Sequence, residues 1–121
     1  MRKILLVEDD PVLRETYEII LSTQPYACDY AENGSVALET CKNAAYDLIL
    51  LDVMMPVMNG IEFLEHITKD QGITSKVILM SNLSAGKELE RAKTLGVNKH
   101  DLKSDMSPSQ LISLIRYEFE A

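Results

Sequence analysis

Three short runs of apolar residues constrain the fold of this chain more than any other feature of its sequence. They are "KILLV" at 3–7, "DLILL" at 47–51 and "KVILM" at 76–80, and their lengths suit strands rather than helices. A strand that is apolar along its whole length is covered on both faces, which is typical of a parallel sheet between helices. Two more polar segments, "YACDY" at 26–30 and "NKHDL" at 98–102, are the remaining strand candidates.

Helical patterns separate the strand candidates. Apolar residues recur at helical spacing in segments that begin at or next to Pro11, Ser35, Asn59, Ser84 and Ser107. Asp10 is the predicted N-cap of the first helix, and Ser107 with Gln110 predicts a capping box at the start of the last helix. Strands that alternate with helices in this way predict a parallel sheet with helices on both faces.

The polarity of the strands predicts their order in the sheet. The three apolar strands are expected at the centre, and the polar segments 26–30 and 98–102 at the edges. With right-handed crossovers, this fits an α/β, flavodoxin-like (βα)5 doubly wound parallel sheet with the strand order 2-1-3-4-5. Functional groups in such sheets lie beyond the carboxyl ends of the strands, at the switch point between strands 1 and 3.

Length and composition exclude several classes of protein. A chain of 121 residues favours one domain, and the pattern leaves no segment of 1–121 for an output domain. No apolar run is long enough to span a membrane, and "MRKILLVEDDP" reaches acidic residues too early for a signal peptide, so we expect a cytoplasmic protein. The net charge of −7 argues against direct nucleic-acid binding, which requires clustered lysine and arginine.

Polar residues follow four of the predicted strands. Asp10 is explained as a helix cap. Glu8 and Asp9, in contrast, have no structural role that the sequence explains. Together with Asp52 they would repel one another unless a cation binds between them. Oxygen ligands alone favour a hard ion such as Mg²⁺. The polar residues at these strand ends are Glu8, Asp9, Asp10, Asp52, Ser81, Asn82 and Lys103.

These side chains predict phosphoryl chemistry. Mg²⁺ in proteins typically shares its coordination shell with a phosphate, which Lys103 could pair with and the Ser81 hydroxyl could hydrogen-bond. Asp52 is the central acid, and a carboxylate can act as a nucleophile that forms an aspartyl phosphate. Catalysis would then consist mostly of positioning and charge neutralisation.

Four segments carry a resemblance to a known family: "ILLVEDDP", "DLILLDVMMPVMNG", "VILMS" and "LGVNKHDLK". On these segments the chain resembles the receiver domain of two-component response regulators over its whole length. That family is known to have the strand order 2-1-3-4-5, so the predicted order is not independent of the resemblance. The resemblance implies a phosphohistidine donor on a sensor histidine kinase or a histidine phosphotransfer protein, and a downstream effector protein.

The resemblance also implies a role for each residue at the strand ends. Asp52 would be the phosphoacceptor, Ser81 stands where the family has a switch threonine or serine, and Lys103 stands where it has the phosphate-binding lysine. The implied Mg²⁺ ligands are Glu8, Asp9, Asp52 and the backbone carbonyl of Met54.

Three positions depart from the family pattern. Ser104 follows Lys103 where the family usually has a proline after a cis bond. A cis bond before serine costs about 3–4 kcal/mol, so either the fold imposes that bond or the loop takes another path. His100 stands at the usual switch aromatic; it either moves with Ser81 and responds to pH or is an ordinary edge-strand residue. Asn82 replaces a usually small residue beside the phosphate.

The sequence leaves alternatives to this reading. A phosphatase with an aspartyl nucleophile usually has a second acid two residues later, where this chain has Met54, so we expect only self-phosphorylation and slow self-dephosphorylation. A degenerate receiver that acts as a phosphorylation-independent binding module remains open. A nucleotide-binding flavodoxin-like protein is disfavoured because no glycine-rich loop follows the first strand. We expect phosphorylation to switch the surface formed by 84–120; homodimerisation is left open.

Overall fold

The computed structural model describes residues 1–52, 57–70, 75–81, 86–95, 100–102 and 107–120. Within them the chain forms one five-stranded sheet in the order β2-β1-β3-β4-β5, and all neighbouring strands are parallel. The flavodoxin-like fold class and the strand order predicted from the sequence are therefore confirmed. The strands are β1 (Lys3–Val7), β2 (Ala27–Ala31), β3 (Leu48–Asp52), β4 (Lys76–Ser81) and β5 (His100–Leu102).

Five helices alternate with the strands along the described chain. None of them combines the length and the apolar character that a membrane crossing would need. The helices are α1 (Pro11–Ser22), α2 (Gly34–Asn43), α3 (Gly60–Asp70), α4 (Gly86–Thr94) and α5 (Pro108–Glu120).

The sheet divides the hydrophobic core into two layers because successive residues of a strand face opposite sides. On one side, Leu5 and Ile49 pack with buried residues of α2, α3 and α4. On the other side, Ile4 and Leu48 pack with buried residues of α1 and α5. All five residues of β3 are buried, as expected for a strand that is covered on both faces. This explains why β1, β3 and β4 appear in the sequence as apolar runs.

Side-chain caps begin four of the helices, α1, α2, α3 and α5. Asp10 accepts hydrogen bonds from the first-turn amides of α1, at 2.9 and 3.4 Å, which confirms the predicted N-cap. Ser107 and Gln110 form the predicted capping box of α5. Asn59 and Glu62 form a second capping box at α3, with hydrogen bonds of 3.2 and 2.9 Å. The predicted cap Ser84 lies outside the described residues.

Several elements differ from the prediction by one residue at a boundary: β2 was predicted at 26–30 and β4 at 76–80, but they run from Ala27 to Ala31 and from Lys76 to Ser81. The third strand was predicted at 47–51 but runs from Leu48 to Asp52, so Asp52 is paired within the sheet rather than placed after it. The second helix was predicted from Ser35 but begins at Gly34, with Asn33 as its N-cap. Asparagine side chains favour turns and helix caps alike, so Asn33 alone does not fix where the helix begins.

Basic residues hold the carboxyl end of α5 against the amino end of the sheet. The Arg2 guanidinium donates to the backbone oxygen of Phe119 at 3.3 Å and lies over its ring, 5.2 Å from the centroid. The Lys76 ammonium donates to the backbone oxygen of Glu118 at 2.5 Å. The last carbonyl groups of a helix carry partial negative charge, so both contacts stabilise this helix end.

Candidate functional site

Three carboxylates meet at the carboxyl end of the two central strands. Glu8 and Asp9 directly follow β1, and Asp52 is the last residue of β3. One carboxylate oxygen from each lies within 4.8 Å of the others. The structure therefore brings together the three acids that the sequence singled out.

Strand pairing places these acids at one level. In the parallel pair of β1 and β3, Val7 stands opposite Leu51, so the next residue on each strand, Glu8 and Asp52, occupies the same height. The Glu8 amide donates to the backbone oxygen of Ala31 at 3.0 Å, which continues the ladder between β1 and β2 beyond Val7. The backbone of the sheet itself thus sets the positions of Glu8 and Asp52.

Two of the three carboxylates are buried. Glu8 is 0% exposed and Asp52 is 2% exposed, whereas Asp9 is half-buried. Carboxylates that lie beside one another away from water repel, and a cation bound between them relieves that repulsion. A set of acids in this position is therefore one that a cation would stabilise, and Asp9 keeps one side of the set open to solvent.

Arg14 is a neighbour of the site that the sequence pattern did not single out. Its guanidinium donates to the backbone oxygen of Glu8 at 2.9 Å. A basic side chain in the first turn of a helix is unfavourable to the helix dipole, so its presence near the start of α1 was a usable signal. Arg14 brings a positive charge to the chain segment that carries Glu8 and Asp9.

The donor set fits Mg²⁺. All three side chains offer oxygen, and neither histidine nor cysteine belongs to this group. Two oxygens bound to one Mg²⁺ lie at most about 4.2 Å apart, because each Mg–O bond is about 2.0–2.1 Å long. The spacing of the acids, within 4.8 Å, approaches that limit, and a small rotation of one carboxylate or a bridging water closes the difference.

The other predicted site residues are only partly covered by the structure. Ser81 ends β4 directly after Met80, the residue that pairs with Asp52, so its backbone lies beside the acidic group. On β5, Leu102 pairs with Ser81, and His100 is the first residue of that strand. The remaining positions, Met54, Asn82, Lys103 and Ser104, lie outside the described residues.

The chain that returns from Asp52 toward α3 contacts the start of α2. The Gly34 amide donates to the backbone oxygen of Met58 at 3.0 Å. A Cβ atom at position 34 would lie 2.6 Å from that oxygen. Val57, just before Met58, has a φ of 67°, a left-handed conformation that is strained for a β-branched residue. The sequence reading missed this contact because it joins two segments that no local pattern connects.

Comparison with known proteins identifies the family. The family model described as the response regulator receiver domain matches residues 4–116. This chain belongs to the response regulator receiver domain family. The receiver domain is 37% identical over 117 residues to the transcriptional regulatory protein CpxR homolog of Haemophilus influenzae, covering 96% of this chain and 49% of that protein. It is 32% identical over 115 residues to the transcriptional regulatory protein ResD of Bacillus subtilis, covering 94% and 46%. It spans about half the length of these relatives.

Solved structures share its fold. The N-terminal domain of an uncharacterized protein from Wolinella succinogenes is 31% identical with a TM-score of 0.89, covering 99% of this chain and 95% of that one. The response regulator protein TrrA from Thermotoga maritima, in complex with Mg²⁺-BeF, is 29% identical with a TM-score of 0.82, covering 98% and 99%. The resemblance read from the sequence motifs is thereby confirmed.

Proposed function

We propose that this receiver domain accepts a phosphoryl group on Asp52 from a phosphohistidine donor, with Mg²⁺ held at the same site. The observation that carries the proposal is the meeting of Glu8, Asp9 and Asp52 at the switch point of the sheet, with their oxygens within 4.8 Å of one another. Support also comes from TrrA, whose structure contains Mg²⁺ and BeF. A sensor histidine kinase or a histidine phosphotransfer protein would supply the donor.

The transfer needs few chemical groups from the protein. A carboxylate oxygen of Asp52 forms a bond to phosphorus while the bond between phosphorus and the donor imidazole breaks. The imidazole nitrogen keeps the electron pair of that bond and takes up a proton. Because β3 holds Asp52 within the sheet at 2% exposure, the nucleophile is positioned before the donor arrives, which lowers the entropic part of the barrier.

The acidic group would hold the metal ion. Glu8, Asp9 and Asp52 supply side-chain oxygens, and the family resemblance adds the backbone carbonyl of Met54. When bound, Mg²⁺ would neutralise charge that gathers on the carboxylates and the phosphoryl oxygens. Glu8 and Asp9 directly follow the last residue of β1, at the carboxyl end of the sheet, which supports this role.

Ser81 and Lys103 complete the proposed site. Ser81 directly follows Met80, which pairs with Asp52 in the sheet, and this supports a role in which its hydroxyl binds a phosphoryl oxygen. Lys103 directly follows Leu102, the residue that pairs with Ser81 on β5. In the proposed mechanism the lysine ammonium pairs with a second phosphoryl oxygen.

The output would be a shift between two conformations of the surface formed by 84–120. A phosphoryl group that interacts better with one conformation raises its population, and a downstream effector protein binds that form. The relatives from Haemophilus influenzae and Bacillus subtilis are named transcriptional regulatory proteins, which supports an effect on transcription. The chain itself would act on no outside substrate and would only phosphorylate and slowly dephosphorylate itself.

Two-dimensional NMR with Mg²⁺ and fluoroberyllate tests both the site and the switch. We expect the amide signals of Asp9 and Asp52 to shift, and further shifts to extend into α4 and α5. Omission of Mg²⁺ is the control and should leave the spectrum unchanged. Shifts confined to the loops around Asp52 would contradict the proposed switch, and the absence of any shift would contradict the proposed site.

A further inference from the structure

The chain that leaves the phosphorylation site is held at a second point, outside the sheet. It leaves β3 at Asp52 and reaches α3 at Gly60. Shortly before α3, the backbone oxygen of Met58 accepts a hydrogen bond of 3.0 Å from the amide of Gly34, the first residue of α2. The end of the connection is therefore hydrogen-bonded to α2, although the connection leads into α3.

The contact between Gly34 and Met58 requires glycine. A Cβ atom at position 34 would lie 2.6 Å from the Met58 oxygen and 2.9 Å from its Cγ atom. The Met58 side chain could rotate away from a methyl group, but its carbonyl belongs to the backbone and could move only with the connection itself. Any larger residue at position 34 would therefore displace the chain that returns from Asp52.

Two features next to Met58 indicate that surrounding structure imposes the backbone conformation at this end of the connection. Val57 has a φ of 67° although it is β-branched and 81% exposed, so no packing of its own side chain explains this conformation. Such a conformation persists only where surrounding structure imposes it. On the other side of Met58, the capping box of Asn59 and Glu62 fixes the start of α3.

We infer that Gly34 is a positioning residue for phosphoryl transfer: its close contact with Met58 fixes the described end of the connection between Asp52 and α3. The inference rests on the proposed phosphorylation of Asp52. The contact acts through the backbone, so it would influence how Asp52 is aligned without touching the phosphoryl group. An error of about 1 Å in such an alignment can slow a reaction by about a hundredfold.

Gly34→Ala tests the inference, with Ala37→Gly as its matched control. Ala37 lies one turn later on α2 and is fully buried, and its amide does not form the hydrogen bond to the Met58 oxygen that the Gly34 amide forms. Both substitutions should lower the unfolding temperature. We expect Gly34→Ala to slow phosphorylation by acetyl phosphate at saturating Mg²⁺ by about tenfold or more, and Ala37→Gly to remain within about twofold of the unmodified chain. Mass spectrometry of the intact protein over time gives the rate.

Each outcome of this comparison has one meaning. A wild-type rate for Gly34→Ala, or equal slowing in both variants, would overturn the inference and leave the proposed function intact. Failure of the unmodified chain to become phosphorylated would instead overturn the proposed function, and with it the inference.

If Gly34→Ala does not fold, the unmodified chain still provides a test. Addition of Mg²⁺ and fluoroberyllate should shift the amide signal of Gly34 and leave that of Ala37 in place, because a contact that orients the site also responds to its occupancy. A Gly34 signal that stays unchanged would overturn the inference.

Discussion

The two ends of the sheet hold their acidic residues differently. At the amino end, the Asp47 carboxylate accepts the Lys3 amide at 2.9 Å and lies 3.8 Å from the Arg2 guanidinium. At the carboxyl end, the oxygens of Glu8, Asp9 and Asp52 lie within 4.8 Å of one another. Asp47 is placed beside a donor and a cation that stabilise the fold, whereas the three acids of the proposed site are gathered around one point.

Added Mg²⁺ should produce the largest difference between the two ends. Binding to the folded state at a concentration of 100 times the dissociation constant should raise the free energy of unfolding by about 2.7 kcal/mol. Asp9→Asn should lose most of this gain, whereas Asp47→Asn should keep it. Urea unfolding with and without Mg²⁺ measures the gain, and equal stabilisation of both variants would place the ion elsewhere.

Replacement of an aspartate by asparagine should change the free energy of unfolding in opposite directions at the two ends of the sheet. Without Mg²⁺, Asp52→Asn should raise the free energy of unfolding, because it removes one charge from a group of three neighbouring carboxylates. Asp47→Asn should lower it by about 0.5–1 kcal/mol, because a charge-assisted hydrogen bond and a surface ion pair are weakened. Denaturant unfolding compares them, and a loss of stability in Asp52→Asn would contradict the account of charge repulsion.

Asp10 can be compared with Glu8 and Asp9, its neighbours in a run of three acids, in its effect on stability and on Mg²⁺ binding. It directly follows Glu8 and Asp9 but caps α1. Asp10→Ala should cost about 1 kcal/mol of stability and leave Mg²⁺ binding unchanged, whereas Asp10→Asn, which still caps, should be nearly neutral. Calorimetric Mg²⁺ titration and thermal unfolding of both variants check this. Weaker Mg²⁺ binding by Asp10→Asn would show that Asp10 belongs to the metal site.

Substitution of Tyr46 should have the smallest effect on stability among these predictions. Its hydroxyl donates to the Asp29 carboxylate at 2.6 Å, and burial, followed by this hydrogen bond, raises the pKa of Tyr46 above its ordinary value. The folded state therefore keeps Tyr46 neutral where the unfolded state ionises it. The resulting stability is fully present below the unfolded pKa, near 10, and is lost as pH rises toward the folded pKa.

Tyr46→Phe should therefore cost about 0.5–1 kcal/mol at neutral pH. Stability of the variant should also decline less steeply above pH 10 than that of the unmodified chain. Urea unfolding across this pH range measures both slopes. Parallel slopes would exclude Tyr46 as a source of the alkaline loss.

Local patterns explain most of what the sequence predicted correctly. The apolar runs identified the buried strands, Asp10 and Ser107 identified two helix starts, and the strand ends identified the acids. Each of these features depends on residues that are close in sequence or on the level at which parallel strands end. The prediction of Asp52 beside Glu8 succeeded because the register of β1 and β3 follows from burial of both strands.

Contacts between distant segments could not be predicted in the same way. Gly34 directly precedes the predicted start of the second helix, and only the folded chain shows that it approaches Met58. The contacts of Arg2 with Phe119 and of Arg14 with Glu8 also depend on how helices dock against the sheet. These contacts are set by packing, and a single sequence carries little information about packing.

Mass spectrometry after incubation with acetyl phosphate and Mg²⁺ tests the central claim most directly. The unmodified chain and Asp10→Asn should each gain the mass of one phosphoryl group. Asp52→Asn, which differs from the unmodified side chain by little more than its charge, should gain none. A phosphoryl group that still appears on Asp52→Asn, or the lack of one on the unmodified chain, would contradict the assignment of Asp52 as the phosphoacceptor.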